Sequence, residues 1–182
     1  MNVMHKSKNF ENSASSFEPA PGLRDAMRHL TGGVSVITAG VGDTRTGLTV
    51  TTAHSLSTEP PLMVISVNRN SSSYPVIRQY QHFCVNILGA EHRSVAERFS
   101  GVGGIKGETR YAGQSWSTLV SGASALDGAL ANIDCVVEEL IERHGHGLFL
   151  GRVLSVRVSE TPGPQLIYQH GNYGAYYAQL SA

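Results

Sequence analysis

Thr49-Val50-Thr51-Thr52-Ala53-His54-Ser55-Leu56-Ser57-Thr58-Glu59-Pro60-Pro61 (TVTTAHSLSTEPP) is the stretch on which the reading of this chain turns. It opens with the β-branched residues of a strand and closes on the Glu-Pro-Pro of a loop. Leu48 to Ala53 alternates, so on a strand Thr49, Thr51 and Ala53 share one face and Val50 and Thr52 the other. Leu62 to Val67 (LMVISV) follows at once and reads as a buried strand. Taken by itself, the hydroxyl-rich run is a Thr-rich strand entering an ordinary loop.

The next segment alters that balance. The apolar strand delivers Asn68-Arg69-Asn70-Ser71-Ser72-Ser73-Tyr74: a cation, three consecutive hydroxyls and a polar turn. Arg69 supplies charge, and Ser hydroxyls and backbone N–H groups supply donors, which together suit a phosphate; a helix begins at Ser73 or Tyr74. The competing reading is a solvated loop with a Ser helix cap. Two neighbouring strand ends thus offer donors, one for the polar edge of a flat ring and the other for its phosphate tail.

Outward from this centre, Leu23, Ala26, Met27 and Leu30 have the spacing of one helical face, stopped by Gly32-Gly33. Val34 to Ala39 reads as a strand, Tyr74 to Tyr80 as a short helix, His82 to Leu88 as a buried strand and Ala90 to Phe99 as a helix. Ser100 to Gly113 is Gly-rich and polar, an exposed loop. Leu126 to Ile141 and Gly147 to Val158 are long β-prone runs, and LIYQ and YGAYY are short strands near the C-terminus. Many strands with few, short helices predict a mainly β antiparallel barrel, closed or partly closed.

At 182 residues, 41% of them hydrophobic and 15% charged, the chain is a single globular domain. Residues 1–21 are polar and Pro-punctuated and read as a mobile tail, with the domain spanning 22–182. Lys plus Arg and Asp plus Glu number 14 each, so there is no net charge and no basic stripe to bind nucleic acid. No apolar run is long enough for a membrane helix, and no signal peptide is recognisable. Cys84 and Cys135 lie in apolar runs and read as buried free thiols of a cytoplasmic protein. The G-x-G-x-x-G, Walker and G-x-S-x-G patterns are missing. His144-Gly145-His146 would place two imidazoles on one side of a strand, but no third ligand accompanies them, so no metal site is expected.

Five pieces in this order are similar to the short-chain flavin reductases, the FMN-binding split-barrel reductase components of two-component flavin monooxygenases. They are LRDAMRHLTGGVSVITA, GLTVTTAHSLSTEPPLMVISVNRNSSSY, FCVNILGAEHRSVAERFSG, HGLFLGRV and LIYQHGNYGAY. The resemblance implies a split barrel, a homodimer with flavin in a groove near the subunit interface, and a monooxygenase that receives the reduced flavin. It implies FMN, or alternatively FAD, reduced by NADH or else NADPH. Thr49, Val50, Thr51, Thr52, Ala53 and Ser55 would line the isoalloxazine and ribityl chain. Arg69, Ser71 and Ser72, within the loop that includes Asn68 and Asn70, would hold the phosphate. Phe99 and Ser100 would skirt the flavin, Lys106 would add charge to the phosphate, and Tyr173 would pack near the ring. His146 would lie at the nicotinamide site, with Gly145 where the family carries an Asp. Two other readings stand beside the reductase: a flavin- or haem-carrying module without NADH turnover, and an FMN-dependent oxidase of the pyridoxamine-phosphate type.

Overall fold

The computed structural model describes residues 20–161 and 163–177. Apart from Ala20 and Pro21, the expected tail therefore lies outside the described residues. The elements run α1 (Leu23–Arg28), β1 (Gly32–Gly33), β2 (Ser35–Ala39), β3 (Thr46–Val50), β4 (Ala53–Thr58), β5 (Pro61–Asn68), α2 (Tyr74–Tyr80) and β6 (His82–Ile87). They continue with α3 (Arg93–Phe99), β7 (Trp116–Thr118), β8 (Ser124–Leu126), β9 (Ala131–Arg143), β10 (His146–Val158), β11 (Gln165–Gln169) and β12 (Asn172–Tyr176). No helix among the described residues is long and apolar enough to cross a membrane.

Seven strands form one antiparallel sheet in the order β3-β2-β6-β9-β10-β5-β4. Its two edges, β3 and β4, are consecutive in the chain with only Thr51 and Thr52 between them. A flat seven-stranded sheet would hold its edges about 29 Å apart, at roughly 4.8 Å per strand. A link of two residues reaches no more than about 11 Å. The sheet must therefore curl until its edges converge at the Thr51–Thr52 corner. Register shifts in the long β9–β10 pair, at Leu150/Gly151 and Val153/Ser155, mark bulges that help it bend. The edges converge without hydrogen bonding to each other, so the barrel is split rather than closed.

This geometry revises the opening stretch. The single strand expected over 48–53 is instead two strands meeting at a corner, and 53–58, expected to run into a loop, is an exposed edge strand. The corner also shifts the alternation: Leu48 and Val50 pack into the barrel interior, and so does Ala53, so Thr49, Thr51 and Ala53 do not share one face as a single strand would have it.

The sheet separates two layers. Ile37, Ile65, Val67, Phe83 and Phe149 point into the barrel, where Tyr74 and Ile77 of α2 pack on them. Alternate positions point outward: Val36, together with Leu88, forms a second core with Val95, Phe99, Tyr111, Leu126 and Leu166. Burying each of these large side chains is worth roughly 1.5–3 kcal/mol. A Cβ on Gly47 would stand 2.7 Å from a Phe99 ring carbon, so only glycine lets α3 lie this close to β3. The expected exposed loop after Ser100 also contributes to this layer. Arg110 and Tyr111 are buried, Tyr111 donating to the Thr46 carbonyl at 2.7 Å and Arg110 to the Gly47 carbonyl. Cys84 and Cys135 are buried free thiols, and burial pushes the Cys135 thiol up to about 12.

Candidate functional site

Where β3 turns the corner, a cleft of about 530 Å³ opens between Val34, Thr49, Val50 and Thr51, the α3 side chains Arg93, Glu97 and Ser100, and the β11–β12 hairpin with Tyr168 and Tyr173. That is the size range of small-molecule sites. Five expected residues meet here: Thr49, Val50, Thr51, Ser100 and Tyr173. Thr51 also borders a smaller recess of about 240 Å³, shared with Ala53 and His54. The position Thr51 takes depends on Gly32, since a Cβ there would come within 2.6 Å of the Thr51 Cβ.

The crowded hydroxyls are not equivalent. Thr49 donates to the Ala96 carbonyl at 2.6 Å and so ties β3 to α3. Thr52, exposed, donates across the corner to the Ser66 carbonyl of β5 at 3.2 Å. Ser100 donates to the Glu97 carbonyl at 2.7 Å. Thr51 alone among these has no hydrogen-bond partner among the described residues, which leaves its hydroxyl for a ligand. Ser55 lies on the exposed edge strand, outside both recesses.

The charges bordering the cleft are paired with each other. Arg93 donates to Glu97 at 2.8 Å, one helical turn along α3, and its guanidinium lies 5.7 Å from the Tyr173 ring centre. Tyr173 and Tyr168 meet edge to face at 5.2 Å. Burial, with Tyr168 and Glu97 adding to it, raises the Tyr173 phenol and keeps it neutral.

Besides Thr52, Ala53 and Ser55, the expected residues Phe99 and Lys106 do not line the cleft. Phe99 is 1% exposed, its ring held edge-on by Tyr111 at 5.1 Å and against Trp116 at 5.6 Å. It forms the floor beneath the cleft rather than its wall, because a ring at the end of α3 gains more from the outer core than from solvent. Lys106 lies on the exposed loop beyond, where it too is absent from the lining.

The polar loop 68–72 and His146 form a second grouping. Antiparallel pairing sets His146, at the start of β10, opposite Asn68, at the end of β5. The loop is shaped from within: the Asn68 side chain accepts the Asn70 N–H at 2.9 Å, the Asn68 carbonyl accepts the Ser71 N–H at 2.9 Å, and the Ser71 hydroxyl accepts the Ser73 N–H at 3.3 Å. Much of the expected backbone donor set is thus spent on the loop itself. Ser73 makes no side-chain cap on α2; its hydroxyl meets Thr46 at 3.2 Å. Arg69, Asn70 and Ser72 stay exposed.

Arg69 is fastened to the β9–β10 hairpin. Its N–H donates to the Gly145 carbonyl at 2.9 Å, and its guanidinium reaches the His144 carbonyl at 3.5 Å and lies 3.8 Å from Glu142. His144, at φ 48, and Gly145 are the hairpin turn, so the expected pair of imidazoles on one strand face does not form. His146 is exposed and makes no side-chain hydrogen bond among the described residues. A Cβ at Gly145 would meet nothing within 4 Å, so the place of the family's Asp is open space.

Sequence reasoning missed Arg93, Glu97 and Tyr168 in the cleft and Glu142 and Tyr74 at the hairpin. The i,i+4 spacing of Arg93 and Glu97 was a usable signal. Glu142 was not recoverable without the strand register.

Residues 27–177 match the family model described as flavin reductase like domain. The chain is 35% identical over 146 residues to the 4-hydroxyphenylacetate 3-monooxygenase reductase component of Pseudomonas aeruginosa, covering 80% of this chain and 85% of that one. It is also 35% identical over 134 residues to the FMN reductase (NADH) RutF of Serratia proteamaculans, covering 74% and 75%. Among solved structures, the nitrilotriacetate monooxygenase component B homologue from Mycobacterium thermoresistibile superposes with a TM-score of 0.77 at 28% identity, over 85% of this chain and 84% of that one.

Proposed function

The chain belongs to the flavin reductase like domain family, and we propose that it is an NAD(P)H-dependent flavin (FMN) reductase that hands reduced flavin to a separate monooxygenase. The cleft at the β3–β4 corner carries this reading: it is open, of cofactor size, and offers the unpartnered Thr51 hydroxyl beside aromatic Tyr173, with its charges already paired. Those features fit a neutral, flat ring system that must enter and leave. FMN with NADH is the pairing favoured by the relatives, one of which is named an FMN reductase (NADH).

Flavin supplies the chemistry, accepting a hydride from the nicotinamide. Thr49, Val50 and Thr51 form the strand-and-corner wall that orients it, with Thr51 as the donor and Ala53 bordering the adjoining recess. Ser100 and Tyr173 close the opposite wall. Arg69, Ser71 and Ser72 receive the phosphate on a loop kept in shape by Asn68 and Asn70. His146, across the ladder from Asn68, contacts the nicotinamide and sets its distance from the ring. No side chain has to move a proton for the hydride step.

The reading includes a homodimer, in which a second copy covers the apolar surface of α1 and the turn after it, where Leu23, Met27 and Leu30 are each more than half exposed. A solution mass twice the 19.5 kDa of the chain checks this. It also includes a cytoplasmic location, to be checked by cell fractionation. The deciding experiment is NADH oxidation by the purified chain with and without added FMN or FAD. Rapid, flavin-dependent oxidation is expected; none with either flavin, under either nicotinamide, removes the assignment.

A further inference from the structure

Glu142 has no part in the reading above, yet it stands beside the cation on which that reading depends. One of its carboxylate oxygens, Oε1, accepts the hydroxyl of Tyr74 and lies 3.8 Å from Nε of Arg69. Tyr74 is 6% exposed, packed edge-on against Phe149 at 5.4 Å, so its hydroxyl is a fixed anchor. The anchor and the ion pair use the same oxygen. At 3.8 Å the carboxylate attracts Arg69 but is too far to accept a hydrogen bond from it. The Arg69 side chain remains 46% exposed, and one terminal nitrogen makes no bond among the described residues.

The Tyr74 hydrogen bond, ahead of the charges of Arg69 and Arg78, holds the Glu142 carboxyl below its usual range, so it is an anion at neutral pH. Burial, with Glu142 adding to it, raises the Tyr74 phenol, which stays a donor. A fixed negative charge therefore sits beside the guanidinium to which a ligand phosphate would bind.

We propose that Glu142 is a resident counter-anion for Arg69, held just out of hydrogen-bonding reach by Tyr74, and that it attenuates binding of the flavin phosphate so that flavin exchanges readily. The inference rests on the assignment of Arg69 to the phosphate. A ligand phosphate approaching Arg69 meets a guanidinium already partly neutralised and a like charge beside it. Tyr74 sets how far the competition goes. With its hydroxyl the carboxylate is restrained; without it, the carboxylate is free to close on Arg69 and compete as a full partner. Glu142 is thus a positioning residue acting through Arg69, not one that touches the reacting atoms.

The test compares FMN with riboflavin, which carries the same ring without a phosphate, by titration of flavin fluorescence at low ionic strength. Glu142→Gln is expected to tighten FMN binding about two- to fivefold, the range of a partly exposed charge pair, and to leave riboflavin unchanged. Tyr74→Phe is expected to weaken FMN binding, again with riboflavin unchanged. Two variants on one cluster moving FMN affinity in opposite directions is a signature that simple structural damage does not give. Arg152→Ala, which breaks an exposed pair with Glu138 elsewhere on the sheet, is the neutral control. Weaker FMN binding in Glu142→Gln, or equal shifts for FMN and riboflavin, overturns the inference.

Arg69→Ala separates the two levels. If it drops FMN affinity to that of riboflavin while Glu142→Gln matches the native chain, the phosphate assignment stands and the role of Glu142 falls. If the native chain binds FMN and riboflavin alike and Arg69→Ala alters neither, the phosphate assignment fails and takes this inference with it.

Discussion

On the cleft side of the Thr51–Thr52 corner, the polar groups other than the Thr51 hydroxyl are largely committed and the apolar ones are packed. Thr49 and Ser100 donate to backbone carbonyls, Arg93 is paired, and the floor is a sealed cluster of Phe99, Tyr111 and Trp116. On the hairpin side, Arg69, Arg143, His144 and His146 are exposed, and the Glu142 carboxylate beside Arg69 stops short of a hydrogen bond to it. The two sides divide recognition between shape and charge. A rigid, neutral wall discriminates by fit and changes little with ionic strength. An exposed cationic rim discriminates by charge, is screened by salt and exchanges quickly. A protein that must hold a flavin long enough to reduce it and then release it has a use for both.

The largest effect is expected from the sealed floor. Phe99→Ala removes a fully buried ring from the outer core, and substitutions of this kind cost about 3–5 kcal/mol. For a chain of this size that is a fall in Tm on the order of 10 °C, read by thermal unfolding. FMN and riboflavin should weaken together, because the floor supports the ring and not the phosphate. A fall in Tm of less than about 2 °C would show that the cleft does not rest on a rigid layer and would erase the contrast with the hairpin.

His146→Ala tests the other side at intermediate size. The side chain is exposed and makes no side-chain hydrogen bond among the described residues, so its loss should leave Tm unchanged. If it sets the approach of the nicotinamide, NADH turnover should fall about tenfold, roughly 1.4 kcal/mol of barrier, while FMN affinity stays within about twofold. Unchanged turnover would make His146 a polar residue at a strand start and nothing more. Loss of turnover together with FMN affinity would mean that the hairpin serves both substrates through one contact.

How much of this was legible beforehand follows from what each signal depends on. β2 and β6 announce themselves because strands buried on both faces must be apolar throughout or nearly so. β5 and β10 bury one face fully and are legible because their other face is apolar as well, down to the exposed Leu148 and Val156. α2 was found from Tyr74 to Tyr80 for the same reason: its Tyr74 and Ile77 must be apolar to plug the barrel. β4 was hidden because it is an edge strand, and His54, Ser55 and Leu56 face solvent, where the sequence is free to be polar. The corner was hidden because two β-branched threonines occupy a turn against their propensity, held there by the contact of Thr51 with Gly32 and the bond from Thr52 to Ser66. Arg110 and Tyr111 were lost inside a Gly-rich stretch whose composition says loop, although two side-chain bonds to β3 bury them. The hydroxyls of the candidate site were visible, but not which were already spent, since Thr49 meets Ala96 only through a contact 47 residues away in the chain.

The smallest effect probes the join between the two regions. Thr52 is the residue whose side chain links the corner to β5, two residues before the Asn68 loop begins. Thr52→Val keeps the shape and the β4–β5 ladder, in which Ala53 still faces Ile65, and removes only the hydroxyl given to the Ser66 carbonyl. The bond is exposed, so its loss should cost less than about 1 kcal/mol, a fall in Tm of about 2–3 °C at most. If the cleft and the charged rim are independent, FMN and riboflavin affinities should both move by less than about twofold, and by the same factor. A change in FMN affinity alone would mean that the corner sets the position of Arg69 as well as the wall of the cleft. Shape and charge recognition would then be coupled through one hydroxyl, and Thr52 would belong with Glu142 among the groups that tune release.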